Sequence, residues 1–352
     1  MDSPNDSATV LNGMIASYKA ECEEQPQRLA LLCRAYEQDE QIRSEIRRLK
    51  RTISGQLPLL WVGMGASYCS MLSGSVRMQS SGRLSFASEA GEWLHNSDGT
   101  RHQIAGPILV TTSGESAELV ELCRQPSNKP SILLCNEAES SCWSAAQIRF
   151  PILAGLEHGN ASKSYTNATA ACIILASELV GLQWKREAAI AIEGFTNSLG
   201  RVFERRKEFD QFRQGATTIE VVGRGPALGG ALMGALCIRE MTGFRAGAHS
   251  GASFRHGPLL DVDDSHLSII QALGPTAELG VRLAKDCVAR GGRVILVETN
   301  ERRASERLLP VKIDTVPEPW EGITSVLVSQ AITAAMIERL GTKYVRICTV
   351  VE

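Results

Sequence analysis

Two stretches of this chain carry one pattern about 160 residues apart, and that repeat constrains the fold more than any other feature. Leu59-Leu-Trp-Val-Gly-Met-Gly-Ala66 is an apolar run ending in paired glycines, and Thr218-Ile-Glu-Val-Val-Gly-Arg-Gly-Pro226 mirrors it. A short apolar run closed by Gly reads as a buried strand. Further apolar strands lie at 108–110, 132–135, 267–271 and 294–297, with helix-like stretches between strands. Strands that alternate with helices imply a parallel sheet covered on both faces. The expected fold is therefore α/β: two copies of a parallel sheet flanked by helices on both faces, related by an internal pseudo-two-fold repeat. The expected divisions are N-terminal helices over 1–50, a first domain over 51–184, connecting helices over 185–214 and a second domain over 215–352. Pro26 is expected to break the N-terminal stretch into two helices.

Composition narrows the partners. The 352 residues hold 37 basic and 39 acidic side chains, and this balance leaves no basic stripe to neutralise a nucleic acid backbone. The one basic run, Arg43 to Arg51, has interspersed apolar residues and reads as a solvated helix face. The ten cysteines show no CxxC pair and no metal-ligand rhythm, and several lie in apolar runs, as Cys135 and Cys172 do. No signal peptide is visible, and no apolar run approaches the ~20 residues that span a bilayer. A cytoplasmic protein without metal or cofactor is expected. Gly63 and Gly65 do not open a dinucleotide fingerprint, because Ser67 and Tyr68 stand where a third Gly is needed.

Chemistry concentrates in two places. The strand at 108–110 empties into Thr111-Thr-Ser-Gly-Glu-Ser116, a hydroxyl-rich turn just before a helix start. Backbone N–H groups converging on such a turn cradle one phosphate of a small metabolite. Ligands on parallel sheets bind at the C-terminal strand ends, where Gly65, Ser67 and Thr111–Ser116 all fall. The second copy has Leu-Gly-Pro-Thr276 in place of the hydroxyl turn, so one cradle per chain is expected. The other place pairs Glu240, near the end of a helix that starts near Leu228, with His256 in a Gly- and Ser-rich loop. A carboxylate and an imidazole in one cleft can move a proton between adjacent carbons. Singly, a helix Glu is usually a surface charge and a loop His unremarkable.

Taken in order, these residues resemble the sugar isomerase (SIS) domain family, in the tandem form found in the isomerase half of glucosamine-6-phosphate synthase. The carriers are Glu21-Cys-Glu-Glu-Gln-Pro26, Gly63-Met-Gly-Ala-Ser67, Ser88-Glu89, Thr111–Ser116 and Glu157-His-Gly-Asn-Ala-Ser-Lys-Ser-Tyr-Thr166. Gly223-Arg-Gly, Arg239-Glu240 and His256-Gly-Pro complete them. The resemblance implies that Ser67, Thr111, Ser113 and Ser116, with Gly65 and Thr112 beside them, hold a sugar phosphate. It implies Glu240 as the base at C1/C2 and His256 as the group assisting ring opening. It also implies a homodimer in which His256 is lent by the neighbouring subunit, a small-molecule sugar phosphate as partner, and neither nucleic acid nor membrane.

The chain departs from the synthase pattern. Its tail, Gly341 to Glu352, lacks the signature whose lysine forms a Schiff base, and Ile347 falls at that lysine's position. Cys237 and Met233 replace a Lys and a Glu on the catalytic helix. A substrate that already carries nitrogen, such as a fructosamine 6-phosphate, needs no enzyme lysine. The chain also resembles the family's fructosamine 6-phosphate deglycases, which keep this Glu/His pair, and the resemblance implies a deglycase or an aldose–ketose isomerase of amino-sugar phosphates without glutaminase activity. The alternative is a catalytically silent sugar-phosphate sensor. A third reading has Lys163 or Lys343 standing in for the missing lysine, against both being ordinary surface charges.

Overall fold

The computed structural model of the protein describes residues 4–341 apart from 54, 56 and 126–129, with side chains described from Ser17 onward. Two helices open it, α1 (Pro4–Gln38) and α2 (Glu40–Thr52). Pro26 does not end α1, which runs through it. A mid-helix proline leaves the carbonyl four residues back without its N–H partner. Here the Gln25 side-chain amide donates to that Cys22 carbonyl at 2.8 Å, and the freed acceptor is satisfied locally. The same Gln25 exchanges amide hydrogen bonds with Gln330. In α2 the basic run does form an amphipathic helix: Ile42, Ile46 and Leu49 are buried, and Asp39 caps it by accepting from the Gln41 and Ile42 N–H groups.

Among the described residues, ten strands form two five-stranded sheets, all pairs parallel. The first copy runs β1 (Leu59–Gly63), α3 (Ala66–Ser80), β2 (Ser85–Glu89), α4 (Ala90–Asn96), β3 (Pro107–Thr111), α5 (Ala117–Arg124), β4 (Ile132–Cys135), α6 (Ser141–Ala145), β5 (Ile148–Pro151) and α7 (Lys163–Val180). Residues 185–214 supply α8 (Lys185–Glu204) and α9 (Arg206–Arg213). The second copy runs β6 (Thr218–Gly223), α10 (Ala227–Thr242), β7 (Ala246–Ser250), α11 (Gly251–Arg255), β8 (His266–Ala272), α12 (Ala277–Ala289), β9 (Arg293–Glu298), β10 (Leu308–Lys312), α13 (Glu321–Thr324) and α14 (Leu327–Leu340). Strand order is β2-β1-β3-β4-β5 in one sheet and β7-β6-β8-β9-β10 in the other, the same topology twice. The expected doubled parallel α/β fold is what forms.

By contacts the chain divides into two compact units. The first comprises residues 27–155 and 163–189, the second residues up to 26, 156–162 and 190–341. In the first, Leu60, Val62, Leu109 and Leu133 of the sheet pack with Leu119 and Cys123 of α5. In the second, Val222, Ile270 and Leu296 pack with Leu283 and Ala284 of α12. Asp210 on α9, itself buried, is gripped by Arg213 and by Arg339 of α14. Burial opposes its charge, but the two guanidiniums outweigh it and hold its carboxyl below the usual range.

The segment Glu318–Leu340 corrects one expectation, since it is long and apolar enough to cross a membrane by composition. Its most apolar window is 83% buried inside the protein, so it serves as a core element. All nine described cysteines are buried and free, in keeping with their apolar runs.

Candidate functional site

Parallel sheets of this order reverse direction between the first strand and the third, and the C-terminal ends of those two strands flank a crevice. In the first unit these are β1 and β3, and the expected anion residues sit there. Gly65 precedes α3 with no side-chain cap, Ser67 is buried in its first turn, and Thr111 closes β3. Thr111 Oγ1 accepts from the Gly114 N–H at 3.1 Å, and Ser113 Oγ accepts from the Glu115 N–H at 3.3 Å. Ser116 stands at the N-cap of α5 without making a capping bond. Ser113 is exposed, and Thr112 and Ser116 are half-buried.

The next loop clamps this turn. Glu115 accepts from the Ser141 N–H at 2.7 Å, which holds its carboxyl below the ordinary range. The Gly114 carbonyl accepts from the Cys142 N–H at 3.0 Å. Gly114 has φ 69°, and a Cβ there would fall 2.5 Å from Ser140 Cβ. The hydroxyls are thus carried on a rigid backbone at a helix start, an arrangement suited to an oxyanion.

In the second unit, Glu240 lies in the last turn of α10, and the loop 156–162 reaches its carboxylate. Asn160, 2% exposed, donates its side-chain N–H to Glu240 Oε2. Its Oδ1 accepts from the Cys237 thiol at 3.1 Å. The loop is itself pinned. Glu21 of α1 accepts from the His158 N–H at 2.9 Å, and Glu157 accepts from the Ser162 N–H at 2.8 Å and its hydroxyl at 2.9 Å. Although the Glu240 residue is open to solvent, partial burial of its carboxyl raises its pKa, and the Asn160 amide pulls it partly back. A carboxylate so poised is a competent general base.

Asn160, which holds the Glu240 carboxylate, is the candidate site residue that sequence reasoning missed. It stands inside the quoted Glu157–Thr166 run, but no spacing rule ties it to a helix eighty residues on. Cys237 and Met233 are fully buried, with neither amine nor carboxylate offered from those positions. Tyr18 and Cys22 of α1 lie beside Cys237, and burial pushes both of their pKa values well up.

The remaining expected residues fall out differently. His256 follows α11, is exposed, and shares no hydrogen bond or ion pair with Glu240 among the described residues. Lys163 is no surface charge: it begins α7 and is 3% exposed. Helix α7 is buried along most of its length, which draws its first residue inward. Lys343 and Ile347 lie outside the described residues. No group of three His, Cys, Asp or Glu that could hold a metal occurs among the described residues.

No family model matches the chain. The glutamine–fructose-6-phosphate aminotransferase (isomerizing) of Pyrococcus horikoshii is 27% identical over 289 residues, which cover 78% of this chain and 48% of that protein. The C-terminal domain of the Francisella tularensis glucosamine-fructose-6-phosphate aminotransferase superposes with a TM-score of 0.79 at 20% identity, covering 92% of this chain and 96% of that one. The chain has the tandem SIS fold. The Escherichia coli tagatose-6-phosphate ketose/aldose isomerase shares it, with a TM-score of 0.74 at 17% identity over 92% of this chain and 93% of that one. The sequence relatives of this tandem SIS chain are the isomerase part of the aminotransferases. It spans about half the length of the Pyrococcus relative and covers nearly all of the matched structural domain.

Proposed function

We propose that this tandem SIS protein binds a sugar phosphate and catalyses proton transfer between C1 and C2 of an amino-sugar or ketosamine 6-phosphate. The observation that carries the reading is Glu240: a partly desolvated carboxylate held in place by the buried Asn160 amide. The clamped hydroxyl turn at 111–116, with Gly65 and Ser67, is the phosphate anchor. The relatives add a chemical class, since their names describe transfer to, or isomerisation of, hexose 6-phosphates.

Within that class we favour a deglycase. In the open-chain ketosamine, Glu240 takes a proton from C1 and C2 is reprotonated, which turns the C1–N bond into an aldose imine. Water adds to the imine carbon, the C–N bond breaks, and glucose 6-phosphate and the free amine leave. His256 supplies the proton to the departing nitrogen. The buried thiol of Cys237, at a position that offers no amine, fits this chemistry, because a substrate that carries its own nitrogen needs no enzyme amine. In this reading His256 serves from the partner subunit of a homodimer.

The test is release of glucose 6-phosphate from fructosamine 6-phosphates. Replacing a general base costs about 10²–10⁴-fold, so Glu240→Gln should lower turnover by about 10³ while sugar-phosphate binding persists. Activity of Glu240→Gln equal to wild type would sink the reading. Saturable sugar-phosphate binding with no turnover across the panel supports the silent sensor instead, a reading favoured by the loss of side-chain chemistry at Cys237 and Met233.

A further inference from the structure

Sheet order makes β8 the counterpart of β3, and the turn after β8 the counterpart of the phosphate turn. That turn has no run of hydroxyls; Gly274 follows β8 with φ 57°. The place a Cβ would occupy is taken by a carboxylate, since it would lie 2.5 Å from Glu321 Oε1 and 2.8 Å from Oε2. Glu321 begins α13, is 7% exposed, and its side chain makes no hydrogen bond or ion pair among the described residues. It lines a cavity of about 190 Å³ with Gly274, Thr299, Asp314, Thr315 and Thr324.

An unpartnered buried carboxyl costs stability, so its presence at a pocket wall argues for a guest that pairs with it. The facing charges leave it the unpaired one. Asp314 is engaged by Arg201, Lys312 by Glu301 and Glu298 by Arg302, while Glu318, one turn back, adds only repulsion. A hexose phosphate carries the wrong sign. Magnesium or calcium takes six or more oxygen ligands, and no group of three His, Cys, Asp or Glu that could hold any metal occurs among the described residues.

We propose that this pocket at the C-terminal ends of β8, β9 and β10 is a second binding site, for a small primary ammonium. The guest donates N–H bonds to the Glu321 carboxylate and to the threonine oxygens, and its short alkyl group lies against Leu273 and Val316. Burial first, and Glu318 second, push the Glu321 pKa up to about 8. Binding near neutral pH therefore releases one proton from the carboxyl to solvent as the ion pair forms.

Calorimetric titration of the full chain with methylammonium chloride tests this. The expected result is saturable binding whose affinity rises about tenfold per pH unit from pH 6 and flattens near pH 8. Tetramethylammonium, which has no N–H, should bind at least about tenfold more weakly. Glu321→Gln should abolish saturable binding, and circular dichroism checks that this isosteric variant folds. No saturable binding to wild type, affinity independent of pH, or binding unchanged in Glu321→Gln overturns the proposal. The pH slope of the wild type decides the matter even if the variant fails to fold.

Discussion

The turns after β3 and β8 hold corresponding places in one repeated topology and offer opposite chemistry. Each has a glycine at positive φ, 69° at Gly114 and 57° at Gly274. At each, a neighbouring side chain fills the space a Cβ would need, Ser140 in the first and Glu321 in the second. The first turn presents hydroxyls at a helix start and suits an anion. The second faces a buried carboxyl and suits a cation. On the proposed reading, sheet topology sets where both turns lie, and a few side chains beyond the strand ends set the sign of the guest each would take.

The largest expected effect tests the second turn. Glu321 has its folded pKa raised from 4.5 to about 8, so its contribution to stability is full below pH 4.5 and is lost as pH rises through 8. In buffer free of amines, thermal or urea unfolding should show wild type losing roughly 3–5 kcal/mol relative to Glu321→Gln between pH 4.5 and 8. Parallel pH profiles of the two proteins would refute the buried, unpaired carboxyl.

Breaking the first turn should cost somewhat less. Gly114→Ala puts a Cβ 2.5 Å from Ser140 Cβ on a left-handed backbone. The combined overlap and strain, about 2 kcal/mol, should raise the Kd for a hexose 6-phosphate at least tenfold by calorimetry. Gly65→Ala, at φ 52° but with open space around its Cβ, carries the backbone strain alone and serves as the milder companion. Equal losses in the two would show that the clamp by Ser140 does not matter.

The smallest effect concerns Asn160. Its amide stabilises the charged form of Glu240, so Asn160→Ala should move the acid limb of the kcat/KM profile to higher pH. At pH 6 the rate should fall about tenfold, the worth of one hydrogen bond to a charged group, and the deficit should narrow toward pH 8. A uniform loss at every pH would mean that Asn160 only supports the fold.

Legibility in the sequence followed position in the sheets. The strands read from hydropathy, at 59–62, 108–110, 132–135, 218–222, 267–271 and 294–297, are the six inner ones. The four edge strands, β2, β5, β7 and β10, escaped that reading. A central strand of a parallel sheet is covered on both faces and reads as a continuous apolar run. An edge strand such as Ala246-Gly-Ala-His-Ser250 is half-open and needs no such run. Pro26 was misleading for a related reason: a side-chain amide replaced the missing backbone donor, and no local rule foresees that.

By itself, then, the sequence determined the doubled α/β topology and the hydroxyl turn, because both rest on contiguous residues whose spacing maps directly onto strand, turn and helix. It also pointed to Glu240 as an acid–base candidate. Only the tertiary structure supplied Asn160 as that carboxylate's partner, Cys237 as a buried side chain bonded to the same Asn160, and Glu321 against Gly274. Those pairings join residues 77, 80 and 47 positions apart in the chain. Hydrogen bonding and burial at such separations depend on which surfaces meet after folding, and hydropathy along the chain does not encode that meeting.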